Sequence, residues 1–147
     1  MVDRDQIFTE DLFQLPIEII PNKAVSGLPK SLYEKEGDMD GFEREVINDV
    51  ANLESGECWT RNLERGKGFC INGFINHYPD FIIKTKKGNI VILETKGDHL
   101  DAEKKIKLGN LWASKAGNSY KYCLVYKGRK EEDAYTKEAF LETLKAW

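Results

Sequence analysis

No apolar run in this chain approaches the roughly 18 residues needed to cross a bilayer. The acidic N-terminus also lacks the basic and apolar regions of a signal peptide. The expectation is therefore a cytoplasmic protein with no membrane partner. Cysteine is scarce: Cys58, Cys70 and Cys123 are odd in number and show no CxxC spacing. That argues against a disulfide framework and a zinc ribbon and leaves the three as buried small hydrophobes. Histidine is scarcer still, and His77 and His99 make neither an HxxxH nor an HExxH pair. A zinc hydrolase is thus disfavoured, and His77 is expected to be structural or a substrate contact. The phosphate loop GxxxxGK followed by Ser or Thr is missing, so any ATP binding would belong to a separate motor domain.

What is present suits one soluble globular domain: 147 residues, 41% hydrophobic and 32% charged. The net charge of −3 hides a division. Residues 1–54 hold 5 Lys/Arg against 13 Asp/Glu, a net of −8, whereas residues 57–130 hold 15 against 7, a net of +8. The basic part suits a polyanionic partner, although any single lysine is more often a solvated surface residue.

Residues 1–38 carry Pro16, Pro21, Pro29, Gly27 and Gly37 with little periodicity. They read as an extended arm or linker from a preceding, absent domain, with Ile17–Ile20 as a candidate short strand. Residues 39–147 then form the folded domain. Met39, Phe42, Val46, Val50 and Leu53 make one helical stripe, with Asp38 or Asp40 as cap and Gly56 as stop. Glu43 lies about 60° from Val46 at the margin of that stripe, and Glu45 about 100° off on the other side. Glu57–Asn62 and Phe69–Ile71 read as strands around a polar turn, with Trp59 in the core. Asp101 is a candidate cap for a helix over 102–116 that Gly117 ends. Its stripe of Ala102, Ile106, Gly109, Ala113 and Ala116 lets it approach a sheet closely, with Trp112 packing at its border. Tyr120–Tyr126 is a further strand, and Thr136 caps a last helix that buries Phe140, Leu144 and Trp147.

The stretch with most chemistry is a hairpin. His77–Thr85 and Asn89–Gly97 are strand-like runs separated by Lys86-Lys87-Gly88. A three-residue loop with Gly88 left-handed pairs Thr85 with Asn89 and, counting back, Asp80 with Glu94. Asp80, Glu94 and Lys96 then share one face, while Phe81, Ile83, Val91 and Leu93 fill the other. Opposed carboxylates repel unless a cation sits between them or one stays protonated. Mg²⁺ takes such oxygen ligands, and a lysine pointing the same way can position water or steady charge on a phosphate. A phosphodiester-cleaving arrangement is the natural reading.

Pro79-Asp80, thirteen residues, then Glu94-Thr95-Lys96 resembles the PD-(D/E)xK nuclease signature. The longer string Asn76–Phe81, Glu94–Asp101, Leu108-Gly109 and Trp112 resembles the C-terminal endonuclease domain of type III restriction enzyme Res subunits and related helicase-linked nucleases. The likeness runs from about Phe42 to Tyr126. It implies a restriction-endonuclease-like mixed α/β sheet of α-βββ-α-β order, and a Mg²⁺-dependent (or Mn²⁺-dependent) DNA endonuclease. By the same resemblance, Asp80 and Glu94 bind the metal, with the Thr95 carbonyl as a third ligand. Lys96 positions water, and Glu43 supplies the glutamate of the first helix. The implied partners are double-stranded DNA, an upstream helicase/ATPase domain and a methyltransferase that reads the site.

Arg61, Asn62, Arg65, Lys67, Lys104 and Lys105 are the candidate DNA contacts. Two readings compete with cleavage by a restriction enzyme. One is a catalytically silent nucleic-acid-binding module of the same fold, which predicts loss of at least one of Asp80, Glu94 and Lys96, whereas none is missing; the bland background to both is a mixed α/β domain in which those three form a partly buried ion pair with no chemistry. The other is the nuclease of a repair helicase.

Overall fold

Gly88 closes the central hairpin in the left-handed conformation its sequence demands. In the computed structural model, which describes residues 15–16, 24–25, 27–63, 67–96, 102–128 and 134–147, Gly88 has φ +91°. Thr85 N–H donates to the Asn89 carbonyl at 2.9 Å. Strands β6 (Phe81–Thr85) and β7 (Ile90–Lys96) pair antiparallel with Phe81 opposite Leu93 and Ile83 opposite Val91. Continued one residue, that register sets Asp80 opposite Glu94.

Around this hairpin stands a mixed four-stranded sheet in the order β3-β6-β7-β8. Strand β3 (Gly56–Arg61) lies antiparallel to β6, and β8 (Tyr120–Tyr126) lies parallel to β7. The parallel pair requires a crossover, supplied by helix α2 (Ala102–Ala116). The expected Asp101 cap lies outside the described residues, as do His99 and the candidate strand Ile17–Ile20.

Alternation along the strands divides the apolar side chains between two layers. Phe81, Ile83, Val91, Leu93, Cys123 and Val125 meet helices α1 (Gly41–Ala51) and α3 (Lys137–Ala146) on one face. Ile92, Tyr122, Leu124 and Tyr126 meet α2 on the other through Ile106, Leu108 and Trp112. Trp59 is buried, edge-on to Phe81, and its Nε1–H donates to the Pro29 carbonyl at 2.8 Å. Helix α1 is shorter than its stripe suggested: Asp40 caps it through a reciprocal box with Glu43, and Asn52 ends it before Gly56. Thr136 caps α3 as expected.

Three local expectations need correction. The strand expected over Phe69–Ile71 is a two-residue strand, β4 (Ile71–Asn72), which pairs with β5 (Asn76–His77) in a ribbon separate from the main sheet. Of the cysteines only Cys123 is buried. The described part of the N-terminal segment is attached to the sheet. Short strands β1 (Ala24–Val25) and β2 (Glu36–Gly37) pair with each other, and Glu36 is buried against β3. Its carboxylate accepts from Thr60 Oγ1 and Arg61 N–H at 2.9 Å each, from Tyr33 N–H at 3.2 Å and from Ser31 Oγ at 3.1 Å. Four donors compensate the desolvation of that carboxylate, although burial still raises its pKa. Among the described residues no helix is long and apolar enough to cross a membrane.

Candidate active site

Asp80, just before β6, and Glu94, near the end of β7, come together close enough for each to act on the other's protonation. Each also has a cationic neighbour. Arg61, the last residue of β3, places Nη1 2.8 Å from Asp80 Oδ1 and Nη2 3.4 Å from Glu43 Oε1. Lys105, on the first turn of α2, places Nζ 2.5 Å from Glu94 Oε2. The second Asp80 oxygen accepts from Thr95 N–H at 2.7 Å and Thr95 Oγ1 at 2.9 Å.

Burial decides the protonation of the pair. Glu94 is only 2% exposed; its desolvation and the adjacent Asp80 carboxylate push its pKa up to about 8, despite Lys105. Burial alone would raise Asp80 too, but the Glu94 hydrogen bond, Arg61 and the Thr95 N–H outweigh it and hold Asp80 below the usual carboxylate range. The two behave as carboxyls sharing one proton, with the charge on Asp80. Burial likewise raises Glu43 against the opposing pull of Arg61. Lys105 is partly desolvated, yet Glu94 overcomes this and raises its pKa, so it stays charged.

His77, expected to be structural or a substrate contact, lies beside Glu94. Its ring is 1% exposed, Nε2 bonds the Tyr122 hydroxyl at 2.8 Å, and Nδ1 lies 3.9 Å from Glu94 Oε2. Nδ1 has no hydrogen-bond partner among the described residues. Burial, reinforced by the charge of Lys105, pushes the imidazole pKa down to about 3, so the ring is neutral at ordinary pH. Lys96 lies near enough to both His77 and Lys105 to act on their protonation.

The residues expected to act chemically thus converge: Asp80, Glu94, Thr95, Lys96 and, through Arg61, Glu43. The expected DNA contacts divide. Lys67 and Lys104 are exposed, and Arg65 lies outside the described residues. Arg61 is instead committed to Asp80 and Glu43. Asn62 is buried, its amide donating to the carbonyls of Phe69 and Pro79 and accepting from Phe69 N–H, so it locks the turn beside the site. Lys105 faces Glu94 and not the surroundings.

Among the described residues no group of three or more His, Cys, Asp or Glu side chains is already arranged around a cation position. The donor set nonetheless fits a divalent ion. Two adjoining carboxyls held at different pKa values share a proton where a cation would relieve their repulsion, and a neutral imidazole nitrogen beside them lacks a hydrogen-bond partner among the described residues. Compared with family models, curated proteins and solved structures, the chain matches none.

Proposed function

We propose that this chain is a metal-dependent DNA endonuclease domain with a restriction-endonuclease-like fold, the cleavage module of a type III restriction enzyme or a related helicase-linked nuclease. The observation that carries this reading is the pairing of Asp80 with Glu94, with the second carboxyl pushed up to about 8 by burial and by the first. The order α1-β3-β6-β7-α2-β8 with β7 parallel to β8 supports the fold assignment, because it is the α-βββ-α-β order implied by the resemblance.

In this reading Asp80 and Glu94 hold Mg²⁺ or Mn²⁺. When bound, the cation supplies Lewis acidity to the scissile phosphate and an acidified water. Lys96 orients the attacking water and steadies charge on the phosphoryl oxygens. Thr95 fixes the Asp80 rotamer through two hydrogen bonds to Oδ2. Glu43 acts through Arg61, which sets the position and charge of Asp80. Exposed Lys67 and Lys104 are available to the DNA backbone. The natural partners would be double-stranded DNA, an upstream helicase/ATPase domain and a methyltransferase subunit.

A second reading has a specific observation in its favour: Asp80 and Glu94 already have Arg61 and Lys105 as counter-charges. A silent nucleic-acid-binding module could keep such a network for structure alone. Plasmid DNA with Mg²⁺ or Mn²⁺ separates the two. Cleavage by the wild type that disappears in Asp80→Ala, Glu94→Ala and Lys96→Ala is expected. Cleavage that persists in all three would end the assignment. If the isolated domain is inactive, calorimetric titration of divalent metal decides: binding lost in Asp80→Ala supports the nuclease reading, and no binding by the wild type supports the silent module.

A further inference from the structure

We propose that His77 Nδ1 is a third protein ligand, beside Asp80 and Glu94, to a divalent transition-metal ion of the Mn²⁺ type. This rests on the metal-dependent reading above and names the class of metal that its site prefers.

Three independent features of His77 point to a missing partner. A ring nitrogen that is buried and unpaired loses its hydrogen bond to water without replacing it, so native interiors seldom keep one without a use. Among the described residues Nδ1 has no hydrogen-bond partner, on a side chain only 1% exposed. The other nitrogen is anchored at 2.8 Å to the Tyr122 hydroxyl; in the tautomer in which Nε2–H donates, the Nδ1 lone pair is free for a ligand. Metal-bound histidines are characteristically held this way, by a hydrogen bond from the nitrogen that does not ligate. Nδ1 is also 3.9 Å from Glu94 Oε2, too far for a hydrogen bond. It is, however, a span that one ion with bonds of about 2.1 Å to each atom can bridge.

Lys105 Nζ occupies Glu94 Oε2 and is the cation that an ion bridging Glu94 and His77 would displace. An imidazole nitrogen changes the preference of the site. Mg²⁺ strongly favours oxygen and water, whereas Mn²⁺ and the later divalent ions accept nitrogen with rising affinity.

The chain has only two histidines, His77 and His99, which makes a spectroscopic test decisive. Pulsed electron paramagnetic resonance of the Mn²⁺-loaded protein is expected to show ¹⁴N coupling from one imidazole. The coupling should survive His99→Gln and vanish in His77→Phe. By calorimetry, His77→Phe should weaken Mn²⁺ binding at least tenfold and change Mg²⁺ binding less than threefold, with circular dichroism confirming the fold. Tyr122→Phe keeps the ligand but removes its anchor and should weaken Mn²⁺ binding roughly tenfold, in line with the 10- to 100-fold cost of losing an outer-shell partner. Mn²⁺ bound without ¹⁴N coupling, or with coupling that persists in His77→Phe, overturns the His77 assignment and leaves the carboxylate site standing. A wild type that binds no divalent ion overturns both.

Discussion

Gly109 on α2 lies directly against the ring of Tyr122 on β8: a Cβ built on the glycine would sit 2.3 Å from Tyr122 Cδ1 and 2.4 Å from Cε1. The small-residue stripe of α2 therefore lets the helix press on the tyrosine that anchors His77. Gly109→Ala must push that ring aside, an overpacking that costs about 1–3 kcal/mol. The expected outcome is a lowered denaturant midpoint together with loss of the His77–Tyr122 hydrogen bond, read as a changed His77 imidazole resonance. Gly88→Ala is the control. Its φ of +91° makes the change strained, but a Cβ there meets nothing, so stability should fall by about 1 kcal/mol with the His77 resonance unmoved.

Glu94 makes the metal-free protein sensitive to alkali. Its folded pKa of about 8 stands above the ordinary 4.5, so the folded chain keeps a proton that the unfolded chain releases. Stability that is fully present below about pH 4.5 is lost as pH rises toward 8, by an amount on the order of a few kcal/mol. Asp80 works in the opposite sense, since its depressed pKa contributes stability that disappears as pH falls through it. In EDTA the melting temperature should drop between pH 6 and 8.5, and Glu94→Gln should flatten that drop. Equal slopes for the two proteins would show that the proton is not on Glu94.

The hairpin was legible because two local facts over-determine it. Gly88 permits a three-residue loop, and that loop length fixes which side chains oppose each other. Once Asp80 was opposite Glu94, their shared face followed from alternation. Lys105 was misread for a geometric reason. The small residues of α2 centre their stripe near Ala102, which leaves Lys105 about 60° to one side. Burial of Leu108 and Trp112 on that same side rotates the packed face until Lys105 lies in its middle. Arg61 was hidden differently. Alternation puts it beside Phe81 on the α1 face, with its guanidinium over that ring, and only its position at the end of β3 lets it reach Asp80. Glu36 left no periodic trace, because its partners Thr60 and Arg61 are 24 and 25 residues away in sequence.

That long-range carboxylate gives a test of how residues 28–37 are fastened. Glu36→Ala strands the Thr60 hydroxyl and the Arg61 and Tyr33 N–H groups in a buried place, at about 1–3 kcal/mol for each donor left unsatisfied. The segment should detach from β3 before the domain unfolds. Because Trp59 Nε1 bonds the Pro29 carbonyl, detachment should shift Trp59 fluorescence to the red. The spectral change would then precede loss of helical circular dichroism in a urea titration. A single coincident transition would mean that the segment and the sheet unfold as one unit.

Lys105 reaches the carboxyl pair and Lys96 lies near Lys105, but the two should fail in different ways. Lys105 holds Glu94 Oε2, the oxygen a divalent ion needs, and its charge repels that ion. Lys105→Met should therefore tighten divalent-metal binding several-fold, even as the uncompensated burial of Glu94 raises its pKa further. Lys96 lies farther along β7, past Thr95, where the reading above gives it the water and the phosphate. Lys96→Met should leave metal affinity within about threefold and lower single-turnover cleavage about 100-fold, the usual cost of removing one group that stabilises developing charge. If Lys105→Met instead abolishes metal binding while Lys96→Met leaves cleavage intact, the two lysines have been assigned the wrong way round. The water-positioning role would then pass from the strand to the helix.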